Sequence, residues 1–264
     1  MKPWTIRLAL AAAAALGAHS ALAHTSYLLP SAFSTAEADV VTIQASFGEK
    51  LFFRPEVAVT SETFHLYRPD GRRDQFDRIE TFRQLTILES DLTEPGTYRF
   101  TTGERLGRIG VQVKTGDQWR PLEPGKSPPA GAETRKSQTA TVADVYVTKG
   151  APTRAVLDVP VGRLALKTET HPSAIYMDDG LVVTVTFDGA PLAGQALELD
   201  REGGGYEEPR FHQALRTDAQ GRVKLTFDRP GAYLLMTRHQ AAAPAGAETA
   251  VRSYTTSLTF EVTR

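Results

Sequence analysis

The sequence predicts an all-β protein built as two β-sandwich domains behind a cleaved leader. Three observations carry that expectation. Short segments in which apolar and polar residues alternate recur along the chain, as half-buried strands require. Turn-forming pairs such as Pro-Gly and Asp-Gly separate these segments at the spacing of a sandwich. Only residues 241–247 hint at a helix, and Pro244 and Gly246 within them favour a loop.

The leader comes first. Lys2 and Arg7 form a positive start, residues 8–18 form an alanine-rich apolar run, and Ala21-Leu22-Ala23 places small residues where a signal peptidase reads. That run is roughly half the ~20 residues a helix needs to span a bilayer, so residues 1–23 read as a secretory signal rather than an anchor. Cleavage after Ala23 makes His24 the first residue of the mature chain and predicts a periplasmic location.

The chain has 264 residues with 30 basic and 31 acidic side chains, and the leader takes two basic ones with it. The mature chain is then close to neutral, which argues against nucleic acid as a partner. No other long apolar run is present, so the mature chain is expected not to insert into a membrane. With no cysteine, disulfides, thiolate metal sites, cysteine nucleophiles and a lipid-bearing cysteine are all excluded. Histidine, carboxylate, methionine and the N-terminal amine remain as possible metal ligands.

In the first half, residues 39–46 place Val41, Ile43 and Ala45 on one face of a strand. Residues 63–67 lead into the Pro69-Asp70-Gly71 turn. Residues 84–88 are followed by the Glu94-Pro95-Gly96 turn and a strand over 97–102. Residues 108–114, the Thr115-Gly116-Asp117 turn and Trp119 form a hairpin. The Pro- and Gly-rich stretch 121–136 reads as an exposed loop, and 139–147 alternates again.

The second half predicts strands over 181–187, 195–199, 222–227, 233–238 and 254–262, with turns at Asp188-Gly189, Asp218–Gly221 and Arg229-Pro230-Gly231. Val159-Pro160-Val161-Gly162 interrupts strand pairing and reads as a hinge. The expected organisation is a signal over 1–23, an N-terminal sandwich over 24–160 and a C-terminal sandwich over 161–264.

The segments DGAPLAGQALEL, TDAQGRVKLTF and RPGAYLLMTRH make the C-terminal half resemble a carboxypeptidase-regulatory or transthyretin-like sandwich. An Ala-His leader end, the Tyr-Leu-Leu-Pro start, RKSQTATVADVYVTKG, that sandwich and the closing SYTTSLTFEV occur in one order. Together they resemble a periplasmic domain-of-unknown-function family commonly described as the periplasmic component of a cobalt/nickel transport system. The resemblance implies immunoglobulin-like or prealbumin-like sandwiches, a metal-handling role, and membrane transporter or outer-membrane receptor components as partners.

Five histidines follow the leader: His24, His65, His171, His212 and His239. An N-terminal histidine can close a chelate with its α-amine and Nδ1, a donor set suited to nickel, cobalt or copper. A specific site needs a third ligand. His239, at the end of a family-like strand, is one candidate, although a solvent-facing or tyrosine-bonded role fits it as well. His171 is another: two residues from Glu169, it joins that carboxylate either at a metal or in a surface pair. His65 is expected on a polar strand face and His212 in an exposed position. Asp178-Asp179-Gly180 reads as turn chemistry, without the spaced carboxylates of a calcium loop.

No Gly-x-Ser-x-Gly elbow and no His-Glu-x-x-His motif is present, so no enzyme activity is expected. Two functional readings stand. One is an accessory protein that binds a divalent metal through His24 and delivers it to a transporter. The other is a structural or interaction module of the cell envelope with no metal requirement. An oxidative copper enzyme would need a second histidine beside the first and a substrate face, and the sequence points to neither.

Overall fold

The computed structural model describes residues 25–48, 53–123, 125–203 and 211–264. They fold into three sheets and one 3-10 turn, Ala155–Leu157. The largest sheet has twelve strands, and its main path runs His212–Arg216, Ala196–Arg201, Gly231–Ala242, Val251–Val262, Thr134–Lys149, Gly96–Thr101, His65–Tyr67, Arg73–Asp74. This central sheet passes through both halves of the chain.

Two smaller sheets cover it, on opposite faces. A five-stranded sheet orders Thr25–Pro30, Val40–Gly48, Thr86–Asp91 and Arg78–Thr81 over the first half. A four-stranded sheet of Leu164–Thr168, Leu181–Phe187, Ala190–Pro191 and Arg222–Leu225 lies over the second half. Alternation along Thr134–Lys149 shows the arrangement. Ala143, Val145 and Val147 point into a core with Leu28, Ile43, Leu88 and Phe100. Ala140 and Tyr146 point the other way, into a core with Val183, Val185, Tyr233 and Phe260. Successive strand residues face opposite sides, so one strand serves two cores. Each fully buried Leu or Phe favours the fold by roughly 1.5–3 kcal/mol over an exposed one.

The join between the halves is a parallel pairing. Val251–Val262, the last strand, lies beside Thr134–Lys149 in register from Ser137↔Val251 to Val145↔Thr259. The Val, Thr and Tyr content of both strands suits a pleated, buried surface.

The strand assignments follow the sequence closely where alternation is clear. Val41, Ile43 and Ala45 are buried together, Leu181–Phe187 is a strand, and Thr115↔Gln118 closes the predicted hairpin around Trp119. The strands not expected from the sequence include Leu164–Thr168, whose alternation is short, the exposed edge Arg78–Thr81, and the mostly exposed His212–Arg216. Ala241 and Ala242 belong to a strand rather than a loop, because Gly231–Ala242 stays paired along its full length with Val251–Val262. The segment read as a hinge is held in place: Val161 is buried and Arg99 Nη1 donates to the Val159 carbonyl at 2.6 Å.

Each half contains the same corner. Tyr98 follows Glu94-Pro95-Gly96, and its hydroxyl donates to the Glu94 carbonyl and accepts from the Glu94 amide, both at 2.9 Å. Tyr233 follows Arg229-Pro230-Gly231 and its hydroxyl donates to the Arg229 carbonyl at 2.8 Å. These are tyrosine corners of the kind that tie strands in immunoglobulin-like sandwiches.

Candidate functional site

His24 lies outside the described residues. The chain is described from Thr25, where the first strand begins. Thr25 and Ser26 are buried, Thr25 pairs with Gly48, and Ser257 Oγ donates to the Ser26 carbonyl at 2.6 Å. The start of this strand is therefore fixed from its first residues.

His239 sits on the other face of the central sheet. It is paired with Tyr254, and its ring lies 4.8 Å from that of Phe187. Arg163 packs over Phe187 and Tyr254 at 4.6 and 5.2 Å and donates to Asp188 through Nε at 2.6 Å and to the Tyr254 hydroxyl at 2.7 Å. His239 thus belongs to an aromatic and cationic cluster.

His171 is committed elsewhere. Its Nε2 contacts Thr97 Oγ1 at 3.2 Å and the Thr153 carbonyl at 3.0 Å, and its Nδ1 contacts Ser173 Oγ at 2.8 Å. The pairing with Glu169 expected from the sequence does not form. Glu169 turns to Arg222 in a two-pronged pair at 2.8 and 2.6 Å and accepts from Thr184 at 2.9 Å. A guanidinium fork matches a carboxylate better than an imidazole does, and the hydrogen bond from Arg222 holds the Glu169 carboxyl below its usual pKa.

His171 and His239 are not brought together. Phe187, beside His239, pairs with Leu164 at one end of a strand pair, and Thr168, just before His171, pairs with Val183 at the other. Those ends are four residue steps, roughly 13 Å, apart. Among the described residues, no three His, Asp or Glu side chains converge as a metal site.

His65 is buried rather than on a polar face. Its Nδ1 lies 2.7 Å from the Thr63 carbonyl and its Nε2 3.2 Å from the Tyr67 hydroxyl. Burial lowers its pKa, only partly opposed by the Thr63 carbonyl. His212 is exposed as expected, with Nδ1 3.2 Å from buried Asp200. Asp178 and Asp179 lie in the turn before Gly180.

The most polar buried feature lies where the halves meet. Arg99 Nη2 donates to Asp144 at 2.5 Å, and both side chains are almost fully buried. Burial disfavours the Arg99 charge, but Asp144, Tyr146 and Tyr67 outweigh that penalty and raise its pKa. Asp144 was legible as an anomaly: a carboxylate inside the alternating run Val142-Ala143-Asp144-Val145 needs a buried partner. Arg99 itself gave no signal.

A family model for a domain of unknown function, DUF4198, matches residues 21–241. No curated protein matches the chain. Among solved structures, the chain is similar to a trypsin-activated alpha-2-macroglobulin from Escherichia coli, with 14% identity, 90% of this chain and 16% of that one covered, and a TM-score of 0.23. It is also similar to the D0–D1 domain of intimin, with 13% identity, 88% and 96% covered, and a TM-score of 0.20. The chain thus spans about a sixth of the length of the alpha-2-macroglobulin.

Proposed function

This chain belongs to the DUF4198 family of unknown function, and from that premise we propose that it is an exported, non-catalytic accessory protein. In this reading residues 1–23 are removed, and the amine and imidazole of His24 take up a divalent transition metal, nickel, cobalt or copper, in the periplasm for transfer to a membrane transporter. The observation that carries the proposal is the anchored start of the first strand. Thr25, to which His24 is bonded, is buried and strand-paired, so the chelate's point of attachment is preorganised. One residue then supplies two ligands. His65 and His171 are already hydrogen-bonded at both ring nitrogens, which favours the N-terminal residue over either of them; His239 is the remaining sequence candidate.

The test is calorimetric titration with nickel, cobalt and copper of the purified mature chain and of the same chain carrying one alanine ahead of His24. One equivalent of metal bound by the first, and at least tenfold weaker binding by the second, is expected. Equal binding by both, or no binding above that of a short histidine-containing peptide, refutes the proposal.

A second reading, an interaction module without metal, is favoured by one observation. The edge strand Arg78–Thr81 is exposed throughout and is followed by exposed Phe82, a surface suited to pairing with another strand. It predicts an envelope partner whose co-purification is unchanged by His24→Ala.

A further inference from the structure

The four-stranded sheet covers one face of the second half of the central sheet. On the other face lies a groove of about 410 Å³ formed by Ala196–Arg201, Gly231–Ala242 and Val251–Val262. That volume suits a small molecule. The groove exists because a small residue stands beside a large one: the register Leu197↔Thr237 sets Ala196 opposite Arg238, and the alanine leaves the space next to the guanidinium empty.

Two opposite charges line this groove without pairing. Arg238 is partly buried, and its Nε donates to Thr255 Oγ1 at 3.1 Å. Its Nη groups make no hydrogen bond, and no carboxylate lies within ion-pair distance, among the described residues. Glu198, partly buried and opposite Met236, likewise makes no hydrogen bond or ion pair among the described residues. Burial lowers the pKa of Arg238, and the charge of nearby Glu198 opposes that only in part, because the two groups do not touch. A diagonal Arg–Glu pair on a sheet face is close enough to collapse into contact; here the bond to Thr255 holds the guanidinium to the other side. Gln240 and Ser253, directly opposite one another, add an amide and a hydroxyl at one end of the groove, and Met236 supplies an apolar surface.

We propose that this groove binds a small zwitterion, a free amino acid or short peptide, with its carboxylate on the Arg238 fork and its ammonium on Glu198. A guanidinium fork recognises a carboxylate through two parallel hydrogen bonds. Part of the cost of desolvating Arg238 is already met in the unliganded fold, and that preorganisation favours binding. No histidine lines the groove among the described residues.

Calorimetric titration of the mature chain, in the presence of a chelator, with L-alanine, L-leucine and dialanine tests the proposal. Propionate and propylamine serve as single-charge controls. Saturable binding of at least one zwitterion is expected, with each control at least tenfold weaker. Arg238→Gln and Glu198→Gln should each weaken that binding at least tenfold, with melting curves confirming the fold. Should Arg238→Gln fail to fold, Glu198→Gln decides alone. No saturable zwitterion binding, propionate binding as tightly as L-alanine, or unchanged binding in a folded Glu198→Gln variant overturns it.

Discussion

The two tyrosine corners share the pattern x-Pro-Gly-x-Tyr and differ in what surrounds them. In both, the glycine has a positive φ, 132° at Gly96 and 137° at Gly231, and the tyrosine ring stacks on a phenylalanine, Tyr98 on Phe100 and Tyr233 on Phe260, each at 13°. A Cβ on Gly96 would meet Pro69 at 2.5 Å and Thr153 Oγ1 at 3.0 Å, whereas one on Gly231 would meet nothing within 4 Å. The first corner is built into the junction between the halves, and the second stands at a free end of its strand. Thr97, next to Gly96, explains the difference. Its amide donates to Thr153 Oγ1 at 3.0 Å, its Oγ1 accepts from the Thr153 amide at 3.1 Å, and it contacts His171. The same local motif serves one half as a simple strand tie and the other as part of the joint.

The largest expected effect breaks that joint at its buried charges. Asp144→Asn leaves Arg99 buried without its carboxylate and should cost about 3–5 kcal/mol in urea unfolding. Replacing both residues together, Arg99→Met with Asp144→Leu, should recover much of the loss. A single variant as stable as the parent would show that the pair does not hold the halves.

Next comes the comparison of the corners themselves. Gly231→Ala should cost roughly 1–3 kcal/mol from backbone strain alone. Gly96→Ala should cost more, because the same strain is joined by overlap with Pro69. Equal losses in thermal melts would remove the distinction between the corners.

The smallest effect is pH dependence. Burial holds the His65 pKa below the ordinary histidine value, which is about 6.5. Below that pH the unfolded chain binds more protons than the folded one, so the contribution of neutral His65 is present above about pH 6.5 and is lost as pH falls. The groups facing it include Arg73, Arg99 and Asp144. Stability measured between pH 7 and pH 5 should fall less steeply in His65→Gln than in the parent; parallel slopes would assign the acid sensitivity to other groups.

Strand identity was readable where the alternation runs long, as at Val41, Ile43 and Ala45, and not in the five residues of Leu164–Thr168, although they alternate too. Partnership was not. A period-two pattern states which face a residue takes but not which strand lies beside it, so the parallel pairing of Val251–Val262 with Thr134–Lys149 had no local trace. Arg78–Thr81, exposed on both faces, had no alternation to read. For the candidate metal ligands the sequence supplied residue type and spacing alone. It could not show that Glu169 would prefer Arg222, or that His171 would be taken up by Thr97, Thr153 and Ser173, all partners supplied by folding. The corner repeat was present in the letters EPGTY and RPGAY and became meaningful once both hydroxyls were seen to bond backward.

The central claim is that one continuous sheet makes the two cores a single unit. Native-state hydrogen exchange tests it most directly, by comparing amides of Gly96–Thr101 with those of Gly231–Ala242. Because Val251–Val262 pairs with both Gly231–Ala242 and Thr134–Lys149, the most protected amides of both strands should exchange with the same opening free energy and the same denaturant dependence. A distinctly lower opening free energy for Gly231–Ala242, with Gly96–Thr101 still protected, would mean that the second half opens alone and would contradict the claim.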